Sequence, residues 1–503
     1  MSNQSNSNFI TYSYNDLCDF IEGATFFATG GGGPKDVAHD LLMDSGILSV
    51  DVINSLDVSD DMQLAFVAEV FAPSSIELKK DFKAAVLSFE DLVNPPAGTE
   101  TGVLPGEVGA INSIIPAIVA ALSGAYLIAD TQTDRALPTL DMGLFQLNVP
   151  FLRLDMLNDN GGVVAQNEYP STDLDSMLLE DDVETGMKGH PELNGVGGFA
   201  SYPISGSELK SYFNNRPRLL LPNTFDYAKQ VGEQMRGPDH VNQIFGTIQN
   251  WMDLLYKPVN YKPYNLFKGY LTVAEQIHAE QDHGRADFIS SDPSRSLGAR
   301  IYYSNENMIA YYTLCILVRG EPQIIELGPM AIGPDAICYL LTDTKFGCGY
   351  SFTNEAFTND YGHPNFFRTH EIMLVGIPEV ALRRYGDKNI IENFKREITT
   401  AKEAFGGTFD GVYTPIEDLQ GQQVGIDMPR KKRALGGDSH IILSSPVVGA
   451  KIGYTLDGSE PDQDSSIYDK PIPLLEVAGK QFKTNFFHET GPGMTVSAQF
   501  PKM

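Results

Sequence analysis

The chain is poor in cysteine, in basic charge and in long apolar runs, and each shortage excludes something. Of 503 residues only four are cysteine, Cys18, Cys315, Cys338 and Cys348, and no two form a CxxC pair. All four lie in apolar or aromatic surroundings, which reads as buried thiols in a reducing, cytoplasmic protein rather than a disulfide framework. Lys and Arg number 36 against 65 Asp and Glu, a formal charge of −29. A field of that sign repels phosphate backbones and anionic lipid, so neither nucleic acid nor a membrane surface is an expected partner. The most apolar stretch, Ile111 to Ala129, is interrupted by Asn112, Ser113, Pro116, Ser123 and Gly124, too often for a bilayer span. The opening MSNQSNSNFITYSYNDL has no basic start and no apolar centre, so no signal peptide is expected.

What remains is an ordinary globular composition, 42% apolar and 20% charged, with ample length for a large core. Residues 14–24 have helical spacing, and the run TGGGGP follows at 29–34. Pro34 suits the first position of a second helix whose apolar stripe is Val37, Ala38, Leu41 and Leu42. Leu64–Ala68 reads as a buried strand. Residues 106–130 read as a helix capped by Asn112 or Ser113 and ended at Gly124, then a strand closing on Asp130. Such helix–strand units indicate an α/β layer. From about Leu266 short β-type runs alternate with turns, and a helix returns at 392–405. The expected organisation is an α/β domain over 1–265, a β-rich domain over 266–420, a linker at 421–437 and a small β unit at 438–503. RKKR (430–433) could be a nuclear signal or an anion patch, but in a chain this acidic it reads as a solvated part of that linker.

Four groups can carry chemistry. Gly30, Gly31, Gly32 and Gly33 meet a helix start, where backbone amides can hold an anion or a developing oxyanion. The same run also suits a tight helix–helix turn under another element. It is neither a Walker loop nor a dinucleotide fingerprint, so no nucleotide cofactor is expected. Asp130, Asp134 and Arg135 stand at a strand's carboxyl end, where open α/β sheets bind ligands. They can supply a base and an anion clamp, or form a capped loop in which Arg135 pairs with an acid. Glu107 precedes the helix capped near Asn112. Asn305, Glu306 and Asn307, with Asp335 and Asp343, are candidates or turn residues. His278, Glu280, Asp282 and His283, and His363, His370 and Glu371, form loose groups without a specific metal spacing.

Together these segments resemble the S-methyl thiohydantoin desulfurase family. GATFFATGGGGP is similar to its N-terminal signature, and GEVGAINSIIPAIVAALSGAYLIADTQTDRALPTLDM to its central one. YSNENMIAY (303–311), GPDAICYLLTDT (333–344) and FDGVYTPIEDL (409–419) follow in the family's order. The chain departs where the family has Gly before the Arg and this sequence has Asp134. It departs again at FQLN (145–148), where a histidine-bearing stretch is expected, and over 151–265. AKIGYTLDGSEPDQDSSIYDKPIPL (450–474) resembles the chitobiase/β-hexosaminidase C-terminal module, a β-sandwich expected to fold separately and carry no catalytic group.

The resemblance implies a three-layer α/β domain, a barrel-like β domain and a cleft between them. It implies hydrolysis of a cyclic S-methyl thiohydantoin to a hydantoin and methanethiol. In that role Asp130, Asp134 or Glu107 is the base, and Gly30–Gly33, Asn112, Arg135, Asn305 and Glu306 bind substrate. A divalent metal such as zinc is left open as the activator of water, with no ligands assigned, and a homo-oligomer is left open. Ring hydrolysis of hydantoins or oxoprolines, or a non-catalytic small-molecule-binding subunit, are the alternatives.

Overall fold

The computed structural model describes residues 8–502 except 72–81, 148, 171, 173–175, 194–195, 215–218, 278–281, 320, 343–349, 358–363, 387 and 429–438. The chain opens with β1 (Phe9–Ser13), α1 (Tyr14–Phe27), α2 (Lys35–Ser45), β2 (Ser49–Ile53), β3 (Gln63–Phe71), α3 (Lys83–Val93), β4 (Thr101–Pro105), α4 (Ala110–Ser123) and β5 (Tyr126–Ile128). Then come β6 (Arg153–Leu157), β7 (Val163–Glu168), α5 (Ser176–Gly189), β8 (Val196–Ser205), α6 (Gly206–Asn214), α7 (Thr224–Met235) and α8 (His240–Tyr256). Their strands form one sheet in the order β1-β2-β5-β4-β3-β8-β6-β7. The central strands β2, β5, β4 and β3 are parallel, and the strands outside them pair antiparallel.

Alternation along the central strands builds three layers. Ala65, Val67, Val103 and Leu127 pack against Phe20, Leu41, Ile114 and Ile118 of α1, α2 and α4. Their neighbours Leu64, Phe66, Leu104 and Ile128 face Leu179 and Val183 of α5 and Leu209 and Phe213 of α6. Local signals set the helix ends. Ser13 and Asp16 form a reciprocal cap on α1, and Gly46 and Gly124 end α2 and α4 in the left-handed region. Two boundaries differ from the sequence expectation. Pro34 caps α2 in an extended conformation instead of beginning it. The cap of α4 is Gly109, which leaves Asn112 inside the helix, free to use its amide elsewhere.

The second sheet contains β9 (Tyr264–Ile277), β10 (His283–Ser290), β11 (Leu297–Ser304), β12 (Glu306–Val318), β13 (Glu321–Ile332), β14 (Ala336–Leu341) and β15 (Ile372–Ile377). All pairs are antiparallel in the order β13-β12-β11-β10-β9-β15-β14. The barrel-like expectation is corrected here: among the described residues β13 and β14 remain open edges. The reason lies in packing. Ile337, Tyr339 and Leu341 of β14 face the sheet's own core, while Ala336, Cys338 and Leu340 turn to the α1 side of the first domain. One face of β14 thus serves the sheet's own core and the other docks the first domain. After α9 (Pro364–Phe367) come α10 (Val380–Tyr385) and α11 (Lys388–Glu403). Ile390, Phe394 and Ile398 pack on Tyr302, Met308 and Ile309.

The tail comprises α12 (Ile416–Gln422), β16 (Gly425–Asp427), β17 (His440–Ser444), β18 (Lys451–Thr455), β19 (Ser466–Ile467), β20 (Ile472–Pro473), α13 (Leu474–Val477), β21 (Gln481–His488), β22 (Gly491–Pro492) and β23 (Val496–Gln499). β17 sits between β16 and β20, and β18 and β21 anchor the other small sheet. The TLDGSEP segment is an Asx turn, with Asp457 accepting from the Ser459 amide at 3.0 Å. This unit shares one core with the second sheet. Leu314, Ile316, Ile325 and Leu327 of β12 and β13 pack with Val424, Ile426, Ile441, Phe482 and Phe486. Residues 421–428 therefore include ordered, buried chain, whereas RKKR and the 437/438 boundary lie outside the described residues. Among the described residues no helix is long and apolar enough to cross a membrane.

Candidate active site

The glycine run splices the two large domains. Thr29 is held at φ 52°, a left-handed conformation uncommon for threonine. Its carbonyl accepts from the Asn307 amide at 2.6 Å, and the Gly30 carbonyl accepts from the Asn354 amide at 2.7 Å. The Gly32 carbonyl accepts from the Ile111 amide at 2.9 Å. The loop thus receives amides from the β domain on one side and from α4 on the other. A Cβ on Gly32 would stand 2.8 Å from the Gly109 Cα, and one on Gly109 would stand 3.0 Å from the Gly32 Cα. Absence of side chains lets two backbones touch. The Gly32 amide donates to Glu306 Oε1 at 3.3 Å.

Beside this splice lies a cavity of about 120 Å³. It opens past the carboxyl ends of the parallel strands β3 and β4, the usual ligand position in such sheets. Five glutamates line it: Glu69, Glu107, Glu180, Glu184 and Glu306. Phe66, Ala68, Val70, Val183 and Phe199 supply apolar wall, and Asn112, Gln132, Thr139 and Asn305 supply amides and a hydroxyl. None of the described lining residues is Lys, Arg or His.

Two of these glutamates come from different domains and are electrostatically linked. Glu107 Oε1 accepts from Asn112 Nδ2 at 2.8 Å, and its Oε2 accepts from the Leu137 amide at 2.6 Å. Burial pushes its carboxyl up to about 7, against those bonds. Glu306 follows Asn305, which stands at φ 54° in the turn from β11 to β12. Asn305 is fixed there because it exchanges two 2.9 Å bonds with Asp282. Glu306 is 3% exposed, and its Oε2 has no hydrogen-bond partner among the described residues. Burial, then the Glu107 charge, drives its carboxyl well above the usual range. Glu306 is the protonated member of the pair, and Glu107 the member that ionises near neutrality. Asn112 Oδ1 is also buried with no hydrogen-bond partner among the described residues, and Asn112 lines the cavity.

The strand-end cluster does different work. Asp130 is buried with both oxygens occupied, Oδ2 by the Ser55 amide and Oδ1 by the Asn223 amide, each at 2.8 Å. Asp134 and Glu379 act on each other electrostatically, and burial raises both carboxyls, Glu379 well above its ordinary range. Arg135 is 0% exposed. Its guanidinium donates to the Ala136 carbonyl at 2.9 Å, the Pro334 carbonyl at 2.7 Å and Thr29 Oγ1 at 3.0 Å. It is a cationic rivet between domains, with Glu306, Glu379 and Asp134 as its countercharges. Of the residues singled out from sequence, Gly32, Glu107, Asn112, Asn305 and Glu306 line the cavity. Gly30, Gly31, Gly33, Asp130, Asp134 and Arg135 are not among its lining residues.

Sequence reasoning missed Glu69, Gln132, Glu180 and Glu184. Glu69 had a signal, since a carboxylate inside the apolar strand LAFVAEVF is costly unless used. Glu180 and Glu184 share a helix face with Val183, but their 151–265 context matched no motif. The described lining offers carboxylates without the His or Cys usual in zinc sites, and no three described His, Cys, Asp or Glu side chains are gathered to hold a metal. His278, Glu280 and His363 lie outside the described residues, as do Cys348 and Asp343. His370 stacks on Phe366.

Comparison with known proteins agrees with both resemblances. Residues 15–167 match the family described as S-Me-THD-like, N-terminal domain, a span holding the glycine run, Glu107, Asn112 and Arg135. Residues 435–493 match the chitobiase/beta-hexosaminidase C-terminal domain. Among curated proteins none matches. A solved structure of a protein from Chromobacterium violaceum is similar with a TM-score of 0.60 at 20% identity, over 81% of this chain and 100% of that chain. That likeness speaks to the fold alone.

Proposed function

We propose that the five-glutamate cavity hydrolyses a cyclic S-methyl thiohydantoin-type small molecule, releasing methanethiol and leaving a hydantoin. The observation that carries this reading is the Glu107–Glu306 pair, one carboxyl ionising near pH 7 and the other held protonated beside it. The S-Me-THD-like match supports the substrate type. Two carboxyls pushed apart in this way divide acid and base work between them.

The ring carbon to be attacked carries S–CH₃ and a C=N bond. Glu306 gives its proton to the ring nitrogen while Glu107 takes one from water, and the water oxygen bonds to carbon. The tetrahedral adduct then collapses. Its O–H proton returns to Glu306 as C=O forms, the C–S bond breaks, and the proton on Glu107 goes to the departing methanethiolate. One water is consumed and both carboxyls recover their starting states. Because nitrogen is protonated as oxygen adds, little oxyanion develops, and the Gly32 amide is spent on orienting Glu306 instead. Asn112 Oδ1 accepts the ring N–H.

The test is methanethiol release from S-methyl thiohydantoins by the full chain, alone and as Glu107→Gln and Glu306→Gln. Both variants should lose on the order of 10²–10⁴ in kcat. Ring opening without methanethiol, or wild-type rates in either variant, would sink the proposal.

A further inference from the structure

Both chain neighbours of Glu306 are tied to the glycine run, by different routes. After it, the Asn307 amide donates to the Thr29 carbonyl at 2.6 Å. Before it, the Asn305 carbonyl accepts from Asn354 Nδ2 at 3.1 Å. Asn354 opens the short turn Asn354–Phe357, between β14 and α9, and its backbone amide donates to the Gly30 carbonyl at 2.7 Å. Its Oδ1 accepts from the Tyr339 hydroxyl at 2.8 Å, and Asn307 Oδ1 lies 3.0 Å from the same hydroxyl. Asn307 Nδ2 donates to the Ile337 carbonyl at 2.8 Å. Asn354, Asn307 and Tyr339 are all buried, and none of them lines the cavity.

These bonds act on the two peptide groups that flank the Glu306 Cα. A peptide unit is planar, so a bond to the Asn305 carbonyl also orients the Glu306 nitrogen, and a bond from the Asn307 amide also orients the Glu306 carbonyl carbon. With both planes held, the direction in which the Glu306 side chain leaves the backbone is set. The Asn305 side needs such support more, because Asn305 stands at φ 54°, and a residue in that region persists only where its surroundings over-determine it. There is no slack behind the turn: a Cβ on Gly30 would stand 2.7 Å from Asn354 Nδ2 and 2.7 Å from Asn307 Nδ2. The Gly32 amide then meets Glu306 Oε1 at 3.3 Å, a long bond that a small turn of the backbone would break.

We propose that Asn354 is a positioning residue for the reaction: by holding the Asn305 carbonyl it sets the Glu306 carboxyl where it faces the cavity with Glu107, and Tyr339 in turn holds Asn354. The proposal rests on reading Glu306 as the acid of the cavity. Asn354 is not a lining residue, so substrate binding does not depend on it directly. Its contribution belongs to the proton transfer, and so to kcat rather than to KM.

The experiment measures methanethiol release by Asn354→Ala, alone and combined with Glu306→Gln, with thermal melting alongside. Asn354→Ala keeps the backbone bond to Gly30 and removes only the side-chain support. Its kcat should fall on the order of 10- to 100-fold, as for a reacting group displaced by up to about 1 Å, with KM within about threefold of wild type. In the Glu306→Gln chain no acid remains to be positioned, so adding Asn354→Ala should change kcat by less than about twofold. An equal fold-loss in both backgrounds marks general structural damage and overturns the proposal, as does wild-type kcat in Asn354→Ala or a KM that rises as far as kcat falls. Should Asn354→Ala fail to fold, Tyr339→Phe asks the same question, since it removes only the hydroxyl and keeps the ring that stacks on Phe352. A kcat loss there that vanishes in the Glu306→Gln chain supports the proposal, and an unchanged kcat overturns it. Infrared spectroscopy of the protonated-carboxyl C=O stretch that Glu306→Gln abolishes needs no turnover. That band should shift in Asn354→Ala as the bond from the Gly32 amide is lost, and an unmoved band overturns the proposal. A shifted band in a chain that releases no methanethiol would leave the positioning role standing and remove the desulfurase reading. Methanethiol release with an unmoved band and wild-type kcat in Asn354→Ala would do the reverse.

Discussion

Adding one methyl group at Gly31 should disable the cavity from behind. An ideal Cβ there would stand 2.1 Å from Glu306 Oε1, 2.5 Å from its Cδ and 2.8 Å from its Cγ. Comfortable contacts between carbon atoms lie at about 3.5–4.0 Å, so the Glu306 carboxyl must retreat by roughly 1 Å. Gly31 is not among the residues with positive φ, so its backbone accepts alanine and the collision is the whole effect. Retreat breaks the bond from the Gly32 amide and moves the acid away from Glu107. Misplacement of a reacting group by about 1 Å costs on the order of 10²-fold in rate, while overpacking of this kind destabilises by about 1–3 kcal/mol. The assay is methanethiol release by Gly31→Ala, with thermal melting alongside. Gly246→Ala serves as control, since that exposed glycine in α8 has open space around its would-be Cβ. Removing all three colliding atoms should relieve the clash, so Gly31→Ala with Glu306→Ala should be no less stable than Glu306→Ala alone, a non-additivity expected only of contacting residues. A Gly31→Ala chain within threefold of wild-type kcat/KM would refute the reasoning.

Three further outcomes are expected. Because Glu107 must be ionised to act as base and its carboxyl sits at about 7, kcat/KM should fall about tenfold per pH unit below that value; a profile flat down to pH 5 would remove Glu107 from the role. Arg135→Lys cannot reproduce the three bonds to the Ala136 carbonyl, the Pro334 carbonyl and Thr29, so unfolding should shift by about 3–5 kcal/mol, which denaturant titration would reveal. Truncation after Gln422 bares Leu314, Ile316, Ile325 and Leu327, at about 1.5–3 kcal/mol of lost burial each; the shortened chain should aggregate, as sedimentation would show, and a monodisperse, active truncation would contradict the shared core.

The parts of this molecule that announce themselves in sequence are those governed by near neighbours. The period-3.6 stripe of α2, the stop signal at Gly124 and the apolar runs of β3 and β5 all act within a few residues. Glu107, Asn112, Asn305 and Glu306 were legible because each stands in a dense local motif. What sequence does not reveal is direction. Asp130 looks like a ligand group at a strand end, yet its carboxylate is claimed by an amide 93 residues later, at Asn223. Arg135 looks like an anion clamp, yet the carbonyl of Pro334, 199 residues away, holds it. Glu180 belongs to a helix in the stretch that matched no motif, and only the fold carries it to the cavity. The sharing of a core by the tail and β12–β13 was half visible, as alternating apolar residues at Leu314, Ile316, Ile325 and Leu327, but a surface-to-be and an interface have the same period.

The contact between Gly32 and Gly109 has a consequence for how such a protein can change over generations. A side chain on Gly31 collides with the end of another side chain, and a second substitution that prunes Glu306 can make room. A side chain on Gly32 or Gly109 collides with main chain, and main chain cannot be pruned by any codon. The two positions therefore constrain each other without being able to compensate each other. A lineage that loses either glycine has no single-step repair and must rebuild both loops together, so this pair should remain fixed while Gly31 and Glu306 can change together.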